Sequence, residues 1–170
     1  MNQKITPFLW FDKNCEEAVN FYVSVFSSSP GKKAESKIIS IERYPEGKQI
    51  GPTEGMQGKV LTAVFELDGQ RFMALDGGPF FKPTEATSFY VECENQEEVD
   101  HFWNKMSAVP ESEQCGWLKD KYGFSWQIIP KALPELLTDP DREKAGRVMD
   151  AMLQMKKIDV AGLEKAAAGK

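Results

Sequence analysis

The chain has 170 residues, 41% of them hydrophobic, which is enough for one compact domain with its own core. Its formal net charge of -5, with acids and bases scattered along the chain, argues against nucleic acid or an anionic membrane as the main partner. No apolar run approaches the roughly 20 residues that span a bilayer, and the first residues lack an export-signal pattern, so we expect a cytoplasmic protein.

The first half is predicted to form a strand, a helix and three more strands. The apolar run over residues 5–11 is typical of a buried strand, and Asn14, with a Glu three residues later, predicts the start of a helix. Residues 38–44 alternate as a strand does. The glycine-rich stretch over 45–58 is predicted to be a long mobile loop of the kind that covers a site. Residues 60–76 predict a hairpin around an Asp-Gly turn.

The pattern begins again near Thr87, at an offset of 81 positions. The matching pairs are Thr6 and Thr87, Phe8 and Phe89, Asn14 and Asn95, Glu16 and Glu97, Glu17 and Glu98, Phe21 and Phe102, and Tyr22 and Trp103. Seven matches on corresponding features indicate an internal repeat. We therefore predict an α+β protein of two βαβββ units, whose strands form a curled mixed sheet around a concave pocket while the helices lie outside.

The second half ends in a predicted hairpin over residues 115–130. Asp120 and a glycine three residues later predict a tight turn that the Asp caps. Because side chains alternate along a strand, Trp126 is expected in the core and Gln127 on the opposite face. Trp117 is predicted either at the rim of the pocket or in the core.

The residues after Pro130 predict two further helices, one from Asp139 and a short one over 160–168. The first carries an apolar stripe that includes Met149 and Met152, which is more typical of core packing than of a binding groove. This tail is expected either to cap its own sheet or to dock on a second subunit.

Cysteine and histidine usage restricts the chemistry. The three cysteines lack C-x-x-C spacing, so we expect reduced thiols and neither disulfides nor a zinc knot. His101, the one histidine, falls on the polar face of the second predicted helix, which disfavours multi-histidine metal sites and triads. Without a pocket histidine as base, Cys115 is predicted to be a neutral thiol and not a nucleophile.

The repeated units, the Phe21-Tyr22 pair and the D-x-x-G turn resemble the vicinal oxygen chelate superfamily of glyoxalase I, bleomycin-resistance proteins and extradiol dioxygenases. The segments TPFLWF, EEAVNFY, FELDGQRFMALDGG and CGWLKDKYGFSWQIIP look like the PhnB-like family, often labelled 3-demethylubiquinone-9 3-methyltransferase. The resemblance covers nearly the whole chain. It implies one such domain over residues 1–130, with halves of about 1–80 and 84–130, and a helical extension of that domain over 131–170.

In metal-dependent members of the superfamily, four ligands lie on the concave face. The resemblance places them here at or beside Thr6 and Pro7, near Ala74, near Ser88 and on Gln127. None of these is His, Asp or Glu, so we expect no metal at this site and no cofactor. A displaced carboxylate site on Asp76 and Glu92 is the alternative.

The methyltransferase label implies S-adenosylmethionine, but no glycine-rich turn opens a predicted helix. We therefore predict a metal-independent protein that binds a small organic ligand and works as a homodimer, the dimer being implied by the family. The alternatives are an enzyme of glyoxalase, dioxygenase or methyltransferase type with a nonstandard site, with no catalytic residue assigned, and a purely structural module. The predicted pocket residues are Trp10, Asp76, Ser88, Tyr90, Glu92, Trp117, Ser125 and Gln127.

Overall fold

The computed structural model describes residues 3–47 and 51–169. Contacts divide the chain into two compact units, one up to Pro83 and one from Thr84 onward. Each unit contains one open mixed sheet with parallel and antiparallel strand pairs, and the predicted α+β class is confirmed. Within the described ranges, no helix has the length and apolar character that crossing a membrane requires.

The first unit has the predicted order of strand, helix and three strands. Its elements are β1 (Phe8–Phe11), α1 (Cys15–Ser27), β2 (Lys37–Arg43), β3 (Val60–Leu67) and β4 (Gln70–Asp76). The sheet order is β1-β4-β3-β2, with β1 parallel to β4 and the other pairs antiparallel. Asp68 and Gly69 both have positive φ angles, 47° and 82°, as the predicted two-residue hairpin turn requires.

The start of α1 is capped differently from the prediction. Asn14 makes no side-chain capping bond. Instead, Asp76 at the end of β4 accepts a hydrogen bond from the Cys15 backbone N–H at 2.8 Å and one from the Val60 N–H at 3.1 Å. Asp76 is only 2% exposed. Asp76, 61 positions along the chain from Cys15, therefore stabilises the start of α1. Its carboxylate accepts a bond from a backbone N–H that has no partner within the helix, and its negative charge interacts favourably with the positive end of the helix dipole.

The predicted loop over 45–58 lies partly outside the described residues, at 48–50. Its two ends meet, because the Tyr44 N–H donates to the Lys59 carbonyl at 2.9 Å and the Gly58 N–H donates to the Tyr44 carbonyl at 3.2 Å. Met56 is 7% exposed. The described part of this stretch is therefore tied to the sheet at its base.

The second unit begins with the same strand and helix but has three strands where four were predicted. Its elements are β5 (Ser88–Cys93), α2 (Gln96–Met106), β6 (Trp117–Lys119), β7 (Ser125–Pro130), α3 (Ala132–Leu137), α4 (Arg142–Leu153) and α5 (Val160–Ala167). The sheet order is β5-β7-β6, with β5 parallel to β7. After α2, a 3-10 turn at Pro110–Ser112 takes the place of the missing strand.

The repeat shifts by one residue between strand and helix. Asn14 and Asn95 precede the two helices and are 81 positions apart, as predicted. The buried residues that end β1 and β5, Phe11 and Cys93, are 82 positions apart. The connection from strand to helix is therefore one residue shorter in the second unit, and strand positions correspond at an offset of 82.

The hairpin of β6 and β7 is built around Asp120, as predicted. The Asp120 carboxylate accepts hydrogen bonds from the backbone N–H groups of Tyr122 at 2.8 Å and Phe124 at 3.0 Å. Its second oxygen accepts a bond from the Trp126 indole N–H at 2.8 Å. Asp120 and Trp126 are each 1% exposed, so the turn is fixed to the core by one buried carboxylate.

The C-terminal tail packs on its own unit. Its helices share an apolar cluster with β7, made of Ile129, Leu133, Val148, Ile158, Leu163 and Ala167. The backbone N–H groups of Cys115 and Gly116 donate to the carbonyls of Met155 and Lys156 at 2.8 and 2.7 Å. Lys157 also forms an ion pair with Asp100 of α2 at 2.6 Å. Of the two predicted arrangements, the tail therefore adopts the one in which it caps its own sheet.

Candidate functional site

A cavity of about 270 Å³ lies in the second unit, between the β5-β7-β6 sheet and the tail. It is lined by Tyr90, Cys115, Trp117, Gln127, Ile129, Leu133, Pro134, Leu137 and Met152. None of these nine is Asp, Glu, Lys, Arg or His. Small-molecule pockets are mostly apolar with a few orienting polar groups, and this composition matches that description.

Three predicted pocket residues form a row across the sheet floor of this cavity. Tyr90 on β5 pairs with Gln127 on β7, and Gln127 pairs with Trp117 on β6. Residues that are paired across neighbouring strands point to the same face, so the phenol, the amide and the indole lie side by side. Of the two positions predicted for Trp117, the structure favours the pocket, where the half-buried side chain lies in the cavity floor.

The amide of Gln127 is oriented by Ser88. Gln127 Nε2 donates a hydrogen bond to Ser88 Oγ at 2.8 Å. With the amide nitrogen engaged there, the carbonyl Oε1 is the group of Gln127 that can accept a bond from a ligand. Ser125, which pairs with Ser88 in the sheet, is 3% exposed, and neither serine lines the cavity.

Tyr90 provides a neutral phenol. Although Tyr90 is 53% exposed, its partial burial raises the pKa of the phenol above its ordinary value, and the negative charge of Glu92 raises this pKa further. The phenol is therefore protonated at physiological pH and can donate a hydrogen bond. Glu92 itself does not line the cavity; it is exposed and lies 3.9 Å from Lys131, whose closer partner is Glu94 at 2.7 Å.

Trp10 and Asp76 lie in the first unit and are held by their own neighbours there. The Trp10 indole N–H donates to the Gly78 carbonyl at 2.9 Å, and its ring meets Phe81 edge to face at 4.9 Å. A Cβ at Gly77 would lie 2.2 Å from the indole, so the ring covers that glycine closely. Both oxygens of Asp76 are engaged by backbone N–H groups. Asp76 is therefore a buried carboxylate that accepts backbone hydrogen bonds, and it does not line the cavity of the second unit.

Six lining residues were not among the predicted site residues. They are Cys115, Ile129, Leu133, Pro134, Leu137 and Met152. Four of them belong to the tail, whose sequence pattern predicted only core packing. Met152, within the apolar stripe, was the sequence feature that could have indicated a binding surface, because methionine is common at adaptable binding surfaces as well as in cores.

The positions that the superfamily resemblance assigns to metal ligands carry no suitable ligand set. At the strand offset of 82, Thr6 corresponds to Ser88 and Phe8 corresponds to Tyr90. Because Phe8 pairs with Met73 and Tyr90 pairs with Gln127, the second position falls on Met73. Ala74, the position expected from sequence, is fully buried. A thioether, two neutral hydroxyls and an amide do not form a site for Zn²⁺, Ni²⁺ or Mg²⁺, which take imidazole, carboxylate or thiolate ligands.

The alternative carboxylate site does not fit a metal either. Asp76 uses both oxygens to accept backbone N–H groups, and Glu92 lies near the Lys131 ammonium. Within residues 3–47 and 51–169, no group of three His, Cys, Asp or Glu side chains is placed to hold a metal ion.

The strand-to-helix connections do not fit the glycine-rich turn that holds S-adenosylmethionine. The connections after β1 and β5, over residues 12–14 and 94–95, contain no glycine. Gly77 and Gly78 follow β4, but no helix opens there, and the Trp10 indole covers Gly77.

Comparisons with known proteins identify the family. The family model described as 3-demethylubiquinone-9 3-methyltransferase matches residues 3–129. One solved structure is that of a PhnB protein from Bacillus cereus, which carries the same methyltransferase name and shares 42% sequence identity with this chain. The match covers 75% of this chain and 99% of that chain, with a TM-score of 0.59. A Pseudomonas aeruginosa protein with 16% identity, covering 74% of this chain and 95% of its own with a TM-score of 0.52, shows the fold alone. No curated protein matches the chain. The family match spans most of the chain, and the chain therefore belongs to the PhnB-like family described as 3-demethylubiquinone-9 3-methyltransferase.

Proposed function

We propose that this protein binds a small organic molecule, without a metal ion, in the cavity above the β5-β7-β6 sheet. The observation that carries the proposal is the row of Tyr90, Gln127 and Trp117 in an otherwise apolar cavity. The two rings offer contact area, and the amide and phenol offer orientation. The volume of about 270 Å³ lies just below the usual range for ligand pockets, which favours a small ligand.

The proposal can be tested with a free thiol that the cavity already contains. Cys115 lines the cavity and is half-buried, whereas Cys15 is completely buried in the first unit. A ligand in the cavity covers Cys115 and slows its reaction with a thiol reagent. We expect compounds from a library of small uncharged molecules to slow Cys115 labelling and to raise Tm by mass action.

Matched glutamine variants separate cavity binding from general stabilisation. Gln127→Leu removes the amide at nearly constant volume and should weaken those compounds about tenfold, the value of one lost hydrogen bond. Gln154→Leu makes the same change at an exposed position after α4 and should leave their affinity unchanged. If no compound slows Cys115 labelling, or if both variants behave alike, the cavity is not a binding site.

The metal-free part of the proposal has its own test. Titration with Ni²⁺ or Zn²⁺ should leave Tm unchanged, because the positions that the resemblance assigns to metal ligands hold neutral hydroxyl, amide and thioether groups. A stabilisation of several degrees that Gln127→Leu abolishes would contradict this part.

The homodimer and the cytoplasmic location stay predictions from the family resemblance and from the sequence. The apolar cluster of the tail packs on its own unit, while Met149 and Leu153 of α4 stay exposed. Sedimentation at micromolar concentration tests the dimer, and a single monomeric species would remove it.

A further inference from the structure

We propose that the tail helices α3 and α4 determine which ligands the cavity accepts, restricting it to uncharged ring compounds, and that Met152 sets how well the ring is held. This inference rests on the proposed function, since it assigns a ligand class to the same cavity. It concerns residues beyond 129, where the family match ends.

The tail builds one complete wall of the cavity. Leu133, Pro134 and Leu137 come from α3, and Met152 comes from α4. All four side chains are apolar, and they lie opposite a floor that carries Tyr90, Gln127 and Trp117. A ligand between wall and floor therefore contacts apolar groups on one side and two rings with a few polar atoms on the other, which suits a flat aromatic molecule.

The wall is fixed in place by several hydrogen bonds from the segment that precedes β6. The Cys115 and Gly116 backbone N–H groups donate to the Met155 and Lys156 carbonyls, and Gln114 Nε2 donates to the Leu153 carbonyl at 2.9 Å. These bonds hold the chain directly after α4. On the other side, Ile129 and Leu133 belong to the buried apolar cluster that joins β7 to α3. Met152 is therefore held at a defined distance from the floor.

Charge selects against ionised ligands. The nine lining residues include no Asp, Glu, Lys, Arg or His. A carboxylate in the cavity would lose water and find neutral donors such as the Tyr90 phenol but no charged partner, and the Gln127 carbonyl oxygen would repel it. A neutral hydroxyl can instead donate to that oxygen. The preferred ligand is therefore an uncharged ring compound with a hydrogen-bond donor.

Two probes of the same shape test this selectivity. 2-Naphthol is neutral at physiological pH and carries one hydroxyl, whereas 2-naphthoate presents the same ring system with a negative charge. Binding to the full chain is measured by calorimetry and by the slowing of Cys115 labelling. We expect 2-naphthol to bind at least about tenfold more tightly than 2-naphthoate, since leaving a charge unpaired costs more than one hydrogen bond.

Variants on one face of α4 test whether the tail sets this preference. Met152→Lys places a cation in the wall and should favour 2-naphthoate, reversing the order of the two probes. Met152→Ala removes apolar contact and should weaken 2-naphthol about fivefold, the effect of losing roughly one kcal/mol of buried apolar contact. Met149→Ala makes the same truncation at a site on α4 that is 42% exposed and does not line the cavity, and it should leave both probes unchanged.

The outcomes separate this inference from the proposed function. If 2-naphthol binds and Gln127→Leu weakens it, but Met152→Lys and Met152→Ala leave the order and affinity of the probes unchanged, the cavity binds ligands and the tail does not select them. If neither probe binds while other library compounds still protect Cys115, the assigned ligand class is wrong and the binding function stands. If nothing protects Cys115, both fail.

Discussion

Removal of the Asp120 carboxylate should strongly destabilise the hairpin that carries Trp117 and Gln127. Asp120 accepts three hydrogen bonds, two from backbone N–H groups of the turn and one from the Trp126 indole. It is 1% exposed, so solvent cannot replace it. We expect Asp120→Ala to unfold the turn and to disturb the floor of the cavity.

The expected loss in the free energy of unfolding follows from the three donors that bind the Asp120 carboxylate. A hydrogen bond to a charged group contributes about 1.5 to 3 kcal/mol, and a buried donor left without an acceptor costs about 1 to 3 kcal/mol. The indole N–H of Trp126, which is 1% exposed, remains unsatisfied, whereas the two turn N–H groups gain partial access to water. Asp120→Ala should therefore lower the free energy of unfolding by about 3 to 5 kcal/mol.

Asp120→Asn gives a sharper version of the same experiment. The amide keeps one carbonyl oxygen for the Tyr122 and Phe124 N–H groups but turns its NH₂ toward the Trp126 N–H, so one bond is lost and two donors face each other. The expected cost is about 2 kcal/mol. Asp150→Ala, an exposed position on α4, is the matched control and should change stability by less than about 0.5 kcal/mol.

Urea unfolding followed by far-UV circular dichroism measures these differences, and amide hydrogen exchange at Tyr122 and Phe124 reports the turn itself. A loss below about 1 kcal/mol for Asp120→Ala would show that packing alone holds the hairpin, and the reasoning from its hydrogen bonds would be wrong.

Gly116→Ala should lower the free energy of unfolding in urea by about 2 to 4 kcal/mol, because φ is 85° and a Cβ would lie 3.1 Å from a backbone carbonyl and 2.5 Å from a buried isoleucine. Gly146→Ala, within α4 with nothing within 4 Å of the added Cβ, should instead raise this free energy by about 1 kcal/mol. Equal effects of the two substitutions would contradict this account. Thiol labelling at mildly alkaline pH should modify Cys115 before Cys15, because burial raises the pKa of Cys15 to about 12; mass spectrometry of the digested protein identifies the site, and faster labelling of Cys15 would refute this. The ion pair with the tail lysine lowers the pKa of Asp100, so its stabilisation is present above the unfolded pKa and is lost as the pH falls through the lower folded pKa. Asp100→Asn should therefore cost about 0.5 kcal/mol at neutral pH and low salt and nothing once the pH has fallen below the folded pKa of Asp100, and a cost that persists in acid would show that the charge is not the cause.

Local features of the fold could be predicted from the sequence, and nonlocal ones could not. The Asp68-Gly69 hairpin and the Asp120 turn depend on residues within a few positions of one another, and both were predicted. The cap of α1 depends on Asp76, which is 61 positions away from Cys15, so the local candidate Asn14 was chosen instead. No local pattern reports which distant carboxylate folding will bring to a helix terminus.

The repeat shows how one residue decides a site prediction. The helix caps gave an offset of 81, and the superfamily resemblance placed the strand position that matches Gln127 near Ala74. The shorter connection after β5 changes the strand offset to 82 and makes Met73 the counterpart. Since alternate residues of a strand face opposite sides, this single residue separates a half-buried position from a completely buried one.

The cavity combines two kinds of residues that differ in how far sequence reasoning can reach them. Tyr90 and Gln127 were found because strand alternation fixes the side to which each points. Met152 lines the cavity only because the chain after α4 is hydrogen-bonded to Cys115 and Gly116, both with positive φ, and an amphipathic stripe does not specify what it will face. The floor falls within the family match and the tail wall beyond it. A substitution in the tail wall would therefore alter which ligands bind without disturbing the strands that position Gln127, and Met152→Lys is such a substitution.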